Sequence, residues 1–418
     1  MAKVTFLPSN QTVEVDSGIS LLDTARKAGV LIHAPCGSKG TCGKCLVEVI
    51  AGEIVSNHGR EKSNVLACQS FVADEDVTVI VPDQELFTLD RYEDEDYNIF
   101  YKQKCGPELS LKLIDRYTIS KPESLTVEDN YSDLQLLKTV LPERLKNLSV
   151  QSFSLSLITN LPKVMLKDET SLSVFAFNKT DSPLLFKIEE TKKSENVLVL
   201  AIDVGTTGIS VQLMDLESEE VIATRSGYNE QIACGLDIIS RINYASSDER
   251  LSELQARVIK TINRLIDKIV LDHNVQSEDI ISAAISGNTV MTHLLYNIKP
   301  ERIRLDPYMP AAMELPLVKA SDLGIAIFQD APVSSSPALG SYVGGDITAG
   351  LLCTDLLTDE NISLFIDVGT NGEIAIGNKD FILTCACSAG PAFEGGGIAC
   401  GMRATTGAIY KVTHMEND

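Results

Sequence analysis

The chain has 418 residues, 44% of them hydrophobic, and a formal net charge of −22 at pH 7. Such an acidic chain lacks the basic surface that nucleic acids and anionic membranes attract, so neither is an expected partner. Its length predicts about two to four domains with buried cores. It begins without an apolar signal region, and no stretch approaches the roughly 18 uninterrupted apolar residues of a membrane helix, so we expect a cytoplasmic protein.

Four cysteines near the N-terminus have the spacing of a metal-cluster loop. Cys36, Cys42, Cys45 and Cys68 follow the pattern C-x5-C-x2-C-x22-C, one residue longer in its first gap than the plant-type [2Fe–2S] run. Glycines within the loop allow backbone N–H groups to point at the sulfurs. A zinc site is the alternative, but the sequence offers neither a second short cysteine knuckle nor a well-spaced histidine. The pattern therefore predicts a [2Fe–2S] cluster.

The residues around these cysteines predict a compact domain over residues 1–83. We expect strands at Lys3–Leu7, Thr12–Val15, Cys45–Ile50 and Val77–Val81, and a helix at Ile19–Ala28. The order of strands, helix, cluster loop and strands resembles the β-grasp ferredoxin family.

A polar, acidic stretch follows Pro82. We interpret residues 84–124 as a linker, with a docking strip for a partner as the alternative. Residues 125–194 predict a small α/β middle domain, with a helix at Leu134–Leu141 and a strand at Leu172–Phe177. We found no chemical motif in it.

A second informative site begins at the apolar strand Val197–Ile202, which ends in Asp203-Val204-Gly205-Thr206-Thr207-Gly208 and is followed by another strand. In a strand-turn-strand of this kind, glycine allows close backbone approach, and N–H groups and threonine hydroxyls bind phosphate oxygens. The aspartate can hold Mg²⁺ through water. The candidate binding residues are Asp203, Gly205, Thr206 and Thr207.

The same motif recurs after the strand Ile362–Ile366, as Asp367-Val368-Gly369-Thr370-Asn371-Gly372-Glu373. Two such hairpins resemble the phosphate turns of the actin, hexokinase and Hsp70 ATPase superfamily, whose ribonuclease-H-like lobes clamp ATP. The resemblance implies an ATPase domain over residues 195–418, with nucleotide contacts from Asp367, Gly369, Thr370, Asn371 and Gly372. The chain has neither a P-loop nor a Rossmann fingerprint.

Two further turns contain small polar residues that suit the same cleft. Asn288 follows the strand Ile280–Ile285, and Gly344, Gly345 and Asp346 precede an apolar helix. Asp346 either binds Mg²⁺ or orients water at this helix start, or it caps the helix; the sequence favours neither. The candidate catalytic carboxylates are thus Asp203, Asp346 and Asp367.

Along essentially its whole length, the chain resembles the reductive activators of corrinoid proteins. The motifs that carry this resemblance are the cysteine quartet, DVGTTG, ISGNTVMTHLL, GGDITAG, DVGTNGE and SAGPAFEGGGI. The resemblance implies ATP-dependent one-electron reduction of an inactive Co(II) corrinoid protein of a methyltransferase system to Co(I). It also implies a [2Fe–2S] cluster, ATP, Mg²⁺ and a low-potential electron donor. Whether the protein is a homodimer stays open.

The sequence departs from this family in its second lobe. From about residue 360 only three strands are visible, Ile362–Ile366, Ile374–Gly377 and Phe381–Cys385. We therefore expect a truncated chain with an incomplete second lobe, and no adenosine-binding residue can be named. The fold class expected is a multidomain chain that combines α+β and α/β units.

Three later cysteines, Cys385, Cys387 and Cys400, allow metal binding as one interpretation. Because free cysteine is among the most buried residue types, we expect them instead in a core of small residues.

Two other functions compete with corrinoid reduction. One is a ferredoxin-type electron carrier whose ATPase-like part only binds a partner. The other is a kinase or chaperone-like ATPase with a regulatory cluster, although nothing in the motifs selects a kinase substrate.

Overall fold

The computed structural model describes the larger part of the chain. The described residues are 1–30, 32, 34, 38, 40, 43, 45–56, 59–61, 64–81, 113–122, 131–166, 171–178, 182–191, 196–369 and 371–388. Within them, no helix is long and apolar enough to cross a membrane.

The described part of the N-terminal domain contains two small sheets, one α-helix and one 3₁₀-helix. Its elements are β1 (Ala2–Leu7), β2 (Gln11–Val15), α1 (Leu21–Lys27), β3 (Leu46–Ala51), β4 (Ile54–Ser56), β5 (Gly59–Glu61), β6 (Asn64–Leu66), β7 (Ser70–Val72) and β8 (Val77–Ile80). The larger sheet has the order β2-β1-β8-β3-β6, and β1 pairs with β8 in parallel. The smaller sheet has the order β5-β4-β7.

Helix α1 forms because its ends and its apolar face are both satisfied. Ser20 caps its start by accepting a hydrogen bond from the Asp23 N–H at 3.0 Å. Leu21, Leu22 and Ala25 are buried in a core shared with the sheet and with the 3₁₀-helix Ala67–Gln69. This packing fixes the position of Cys68, which lies on that 3₁₀-helix.

The middle domain is a three-stranded sheet covered by helices. Its elements are β9 (Ile114–Ser120), α2 (Asp133–Val140), α3 (Glu143–Lys146), α4 (Leu155–Met165), β10 (Ser171–Phe177) and β11 (Leu184–Glu190), in the sheet order β11-β10-β9. Strand β9 lies within residues 84–124, the predicted linker, but it pairs with β10. This part of the predicted linker therefore belongs to the middle domain. The sequence signal was weak because Ile114 and Ile119 are its only strongly apolar residues, and its pairing partner β10 lies about 50 residues later.

The first lobe of the predicted ATPase is a six-stranded sheet with helices. Its elements are β12 (Leu198–Val204), β13 (Gly208–Asp215), β14 (Glu220–Tyr228), α5 (Ile238–Tyr244), α6 (Asp248–His273), β15 (Ile280–Gly287), α7 (Thr289–Leu295), β16 (Val318–Lys319), α8 (Ala320–Leu323), β17 (Pro332–Ser335) and α9 (Gly345–Leu352). The sheet order is β14-β13-β12-β15-β17-β16. Helix α6 buries its apolar stripe, including Leu254, Val258 and Ile262, in the core beside this sheet.

Parallel pairing brings two strand ends of the first lobe together. Asp203 on β12 lies opposite Ser286 on β15, and Val204 lies opposite Gly287. The loops that follow these strands therefore leave the same edge of the sheet, as in other open α/β sheets where ligands bind.

The second lobe, as described, is an antiparallel sheet of β18 (Ser363–Val368), β19 (Asn371–Asn378) and β20 (Phe381–Ser388). Cys385 and Cys387 are exposed on the edge strand β20. The expectation that they lie in a core was therefore wrong for these two, because small size alone does not decide which side of an edge strand is covered. Cys400 lies outside the described residues.

Candidate functional site

The first turn, residues 203–208, is a tight hairpin between β12 and β13. These strands pair antiparallel, with Asp203 opposite Ser210 and Val204 opposite Ile209. A Cβ atom on Gly205 would lie 2.5 Å from the Gly208 carbonyl oxygen, so only glycine fits there. The turn is therefore narrow enough for its backbone to approach a ligand closely.

Residues 229–241, which we call the bridging segment, hold this turn by its carbonyl groups. The Asn229 side chain donates to the Gly205 oxygen at 3.0 Å, and the Asn229 backbone N–H donates to the Thr207 oxygen at 2.9 Å. Arg241 donates to the Thr206 oxygen at 2.5 Å. Three consecutive carbonyls are thus bound from one side, which orients the turn.

Arg241 is a residue that sequence reasoning missed. It is fully buried, and it also donates to the Gly235 oxygen at 2.9 Å and to Gln231 Oε1 at 3.2 Å. Arginine is mostly exposed in proteins, so an arginine on a short helix is expected at the surface. Its partners here include backbone oxygens, which no pattern of residue types reveals. Asn229, which is also buried, was missed for the same reason.

Asn288 joins the first turn to the start of α7. Its side chain donates to Thr206 Oγ1 at 2.9 Å and accepts from the Met291 N–H at 3.0 Å as the helix cap. Gly344 approaches the same point, since a Cβ there would lie 2.4 Å from the Asn288 Cα atom. The loop that precedes Asp346 is therefore packed directly against the loop that contains Asn288.

Asp346 does not cap helix α9. The N-cap is Gly344, and the Asp346 carboxylate accepts a hydrogen bond from the Ile347 N–H at 2.9 Å within the first turn. Of the two interpretations that the sequence left open, the cap is thus wrong. The role in Mg²⁺ binding or water orientation stays a prediction.

The second turn, residues 367–372, connects β18 and β19. The Gly369 N–H donates to the Asn371 oxygen at 2.9 Å, and Asp367 lies directly opposite Glu373 in the strand pair. Side chains opposite each other in an antiparallel pair share a face of the sheet. Thr370, a predicted phosphate ligand, lies outside the described residues.

Four carboxylates of the two lobes share one electrostatic environment. Loss of water around the cleft raises the pKa of Asp203 to about 6, and the charge of Asp367 adds to this rise while the hydrogen bond from Ser286 opposes it. Desolvation likewise raises the pKa of Asp346 to about 6, with contributions from Asp203 and Asp367. The structure therefore brings the three predicted aspartates into mutual interaction.

Glu373 completes this acidic group, although it was not among the predicted site residues. Burial raises its pKa to about 7, and the charges of Asp346 and Asp367 raise it further in the same direction. Its place in the Asp-Val-Gly-Thr-Asn-Gly-Glu motif was visible, but a strand residue gave no reason to assign it chemistry. Within the described residues, no group of three or more His, Cys, Asp or Glu side chains is close enough to hold a metal ion.

A cavity of about 480 Å³ lies against these residues. Its lining includes Asp237, Ile239, Asn288, Tyr342, Asn371 and Glu373. The cavity thus joins the bridging segment, the loop that contacts the first turn, and the second turn. A lining that combines polar side chains with Ile239 and Tyr342 suits a ligand that has both a charged and an apolar part.

In the N-terminal domain, Cys45 and Cys68 are brought together. Both are buried, and their sulfur atoms are 3.3 Å apart. Gln69 donates to the Cys68 sulfur at 3.7 Å and to the Ser38 oxygen at 2.8 Å, which ties the cysteine loop to the 3₁₀-helix. A thiol pair with an amide donor to sulfur fits an iron–sulfur cluster. Cys36 and Cys42 lie outside the described residues.

Comparison with known domain families divides the chain into three regions. The family described as 2Fe-2S iron-sulfur cluster binding domain matches residues 4–73. The RACo middle region matches residues 198–359, and the C-terminal domain of RACo, the ASKHA domain, matches residues 361–418. The N-terminal domain is therefore a [2Fe–2S] cluster-binding domain, and the fold class predicted from the sequence is confirmed.

Individual proteins match over much of the chain. A protein of Eubacterium limosum named corrinoid activation enzyme RamQ is 30% identical over 98% of this chain and 65% of its own length. A [Co(II) methylated amine-specific corrinoid protein] reductase of Methanosarcina barkeri is 28% identical over 51% of this chain and 40% of its own length.

A solved structure also matches nearly the whole chain. It is titled reductive activator for corrinoid, iron-sulfur protein, and it is 37% identical over 98% of this chain and 66% of its own length, with a TM-score of 0.62. The chain thus spans less than two thirds of the length of each of these three proteins. Because the matches join the cluster domain and both lobes in one order, the chain belongs to the family of the reductive activators of corrinoid proteins.

Proposed function

We propose that the protein reduces an inactive Co(II) corrinoid protein to Co(I) by one electron in an ATP-dependent reaction. The electron comes from a low-potential donor. The observation that carries the proposal is the presence, in one chain, of a buried cysteine pair and two Asp-x-Gly-Thr hairpins. Residues of the second hairpin line the cavity, and Asn288, which also lines it, donates to Thr206 of the first hairpin. Two relatives of the chain carry corrinoid activation or corrinoid protein reduction in their names.

A [2Fe–2S] cluster, when bound, supplies a one-electron carrier near about −400 mV. Cys45 and Cys68 would hold it, and Cys36 and Cys42 are the other proposed ligands on the strength of their spacing. Gln69 donates to the Cys68 sulfur and so stabilises its negative charge. Both described cysteines are buried, which shields their sulfur atoms from water.

In the ATP site, we assign phosphate binding to the two turns. The carbonyls of the first turn are bound by Asn229 and Arg241, and we assign its N–H groups to the oxygens of a phosphate. Asn288 fixes the Thr206 hydroxyl beside them. Asp203 and Asp367 would hold Mg²⁺ through water molecules and the phosphates, which is the usual way this ion is bound.

ATP is needed because the electron must move to a very negative potential. For one electron, a tenfold change in an equilibrium constant corresponds to about 59 mV, so a 100-fold preference for one cobalt state shifts its potential by roughly 120 mV. ATP binding that changes the relative affinity of the protein for the two cobalt states of its partner can therefore drive the electron transfer. Hydrolysis then releases the corrinoid protein.

The test is anaerobic reduction of a purified Co(II) corrinoid protein, with formation of Co(I) followed by absorbance, with and without Mg²⁺·ATP. We expect Cys42→Ser to abolish reduction and leave nucleotide binding intact. Cys353→Ser, at an exposed free cysteine of the first lobe, is the matched control and should retain both. Loss of both properties in Cys42→Ser contradicts the assignment of separate sites.

An electron carrier whose lobes only bind a partner predicts a different result. Reduction by the chain would then proceed at the same rate with and without Mg²⁺·ATP. Comparison with a form extended at its C-terminus decides between the two functions, because only the ATP-dependent reaction predicts a stimulation that Asp203→Asn removes.

A further inference from the structure

The cluster domain contacts the first lobe through one buried arginine. Arg26, on helix α1, is 7% exposed, and its Nε donates to the Ala233 oxygen of the bridging segment at 3.1 Å. Its guanidinium carbon lies 4.5 Å from the centre of the Tyr244 ring. Asp23 on the same helix holds the other side of the guanidinium at 2.6 Å. The contact combines a charged hydrogen bond with a cation–π interaction.

The receiving surface is rigid. The Tyr244 hydroxyl donates to Glu253, and Arg257 donates to Glu253 at 2.8 and 3.0 Å. Arg250 also lies against the Tyr244 ring, 5.1 Å from its centre. The ring on which Arg26 rests is therefore fixed by helix α6 rather than free to turn.

The segment that receives Arg26 also holds the first turn. Ala233 lies between Asn229 and Arg241, which together bind the carbonyls of Gly205, Thr206 and Thr207. On the other side, helix α1 packs in one core with the 3₁₀-helix that contains Cys68. One continuous set of contacts thus runs from a cluster cysteine to the phosphate turn.

We propose that Arg26 docks the cluster domain on the bridging segment and so couples this docking to the first turn. The contact holds the segment in the position from which it binds the three carbonyls, and loss of docking loosens the turn. When the turn binds phosphate, its peptide groups become better acceptors for Asn229 and Arg241, because hydrogen bonds in a chain strengthen one another. Phosphate binding then stabilises docking, and docking stabilises phosphate binding by the same factor.

The docking part of this proposal is independent of ATP, whereas the phosphate part rests on the proposed function. Hydrogen exchange measured by mass spectrometry on the whole chain, without nucleotide, tests the first part. We expect Arg26→Ala to speed exchange in peptides of the bridging segment and the first turn roughly tenfold, as loss of one charged hydrogen bond and one cation–π contact predicts. Arg26→Lys keeps the charge but loses the Nε donor, and should give a smaller increase.

Lys27→Ala is the matched control. It removes a positive charge from the adjacent, exposed position of α1, and should leave exchange in the first lobe unchanged. Equal exchange of the bridging segment in Arg26→Ala and Lys27→Ala overturns the docking proposal.

A second variant approaches the contact from the other side. Tyr244→Leu changes the first lobe alone, yet it should speed exchange in α1 of the cluster domain. If each of the two variants alters exchange only in its own domain, the effects are local destabilisation and the proposal is wrong. Exchange in β1 and β8, away from the contact, reports whether the cluster domain is still folded.

Mg²⁺·AMP-PNP tests the phosphate part. In the unaltered chain, protection of the first turn should be accompanied by slower exchange in α1, and Arg26→Ala should remove the second effect. Protection of the turn without any change in α1 overturns the coupling. If the unaltered chain shows no protection of the turn at all, the proposed ATP function fails for this chain, while the nucleotide-free experiment still decides the docking.

Discussion

At the first turn, strand β12 is buried and the carbonyls of the hairpin are bound by Asn229 and Arg241. At the second turn, the matching strand β18 is exposed to solvent. Ile202, the residue before Asp203, is 2% exposed, whereas Ile366, the residue before Asp367, is 52% exposed. The second turn has a buried acid, Glu373, opposite its aspartate, where the first turn has Ser210. Two copies of one motif thus obtain their stability in different ways.

The difference suggests a division of roles. The first turn is a fixed platform, because its peptide groups are held from behind before any ligand binds. The second concentrates negative charge, because Asp367 and Glu373 share one face of a strand pair, where like charges destabilise each other. If the proposed Mg²⁺ site is correct, bound Mg²⁺ would relieve that repulsion, and the second turn would depend on its ligand more than the first does.

The largest loss of stability is expected when the hydrogen bonds from Arg241 are removed from the first turn. Arg241→Ala leaves three buried oxygen acceptors without this donor and creates a cavity, which should lower the free energy of unfolding by about 3 kcal/mol. Urea unfolding followed by circular dichroism measures it. Lys379→Ala, which breaks an exposed ion pair with Glu360 at the end of the β18–β19 hairpin away from the second turn, should cost less than about 1 kcal/mol. Equal costs for both variants contradict the idea of a fixed first turn.

Matched glycine substitutions compare the two turns directly. Gly205→Ala places a Cβ atom 2.5 Å from the Gly208 oxygen, whereas at Gly369 the nearest atom is 3.6 Å away. We expect Gly205→Ala to cost about 2 kcal/mol and Gly369→Ala to change stability by less than about 1 kcal/mol. Urea unfolding measures both variants. If Gly369→Ala lowers the free energy of unfolding more than Gly205→Ala does, the first turn is not the more tightly constrained of the two.

Glu373→Gln should stabilise the protein at high pH. The pKa of Glu373 in the folded chain is about 7, above the ordinary value, so the folded state penalises the charged form. That cost is complete above pH 7 and is lost as the pH falls from 7 towards the unfolded value near 4.3. We expect a gain of about 1–2 kcal/mol at pH 8 and little at pH 4.5, measured by urea unfolding.

The control for this variant is Glu48→Gln, at an exposed position on β3. It should not reproduce the gain at pH 8, because it relieves no repulsion between buried acids. A gain in Glu373→Gln that is as large at pH 4.5 as at pH 8 excludes relief of charge as the cause.

The smallest effect concerns Mg²⁺·ADP binding. With a pKa of about 6 at Asp203, the charged fraction rises about tenfold between pH 5 and pH 7, and affinity should rise by a similar factor. Titration calorimetry across this range measures it. Asp367→Asn removes a charge that raises the pKa of Asp203, so the midpoint should move to lower pH. Asp380→Asn, on the exposed turn after β19, should not move it, and an unmoved midpoint in Asp367→Asn contradicts the coupling.

Much of the fold and part of the site follow from local sequence signals. The two hairpins were predictable because an apolar strand, an aspartate and a Gly-Thr turn are adjacent in the chain. The domain order was predictable from the cysteine spacing and from the resemblance to a family. Asn288 was found because it follows a strand, in the position where α/β sheets bind ligands.

The remaining features depend on contacts between distant residues. Arg241 and Asn229 act on carbonyls about 25 to 35 residues away, and such partners leave no pattern in residue type. Strand β9 was missed because its signal appears only when β10 pairs with it. The exposure of Cys385 and Cys387 depends on which face of a sheet is covered, which residue size does not determine.

The position of β8 in the N-terminal sheet has a consequence for synthesis of the chain. Among the described strands of that domain it is the last in sequence, yet it lies between β1 and β3 and so joins the two halves of the larger sheet. A growing chain therefore cannot close this sheet until Ile80 has left the ribosome, by which time every cluster cysteine has already been made. Because such closure joins residues more than 70 positions apart, we expect it to be a slow step of folding.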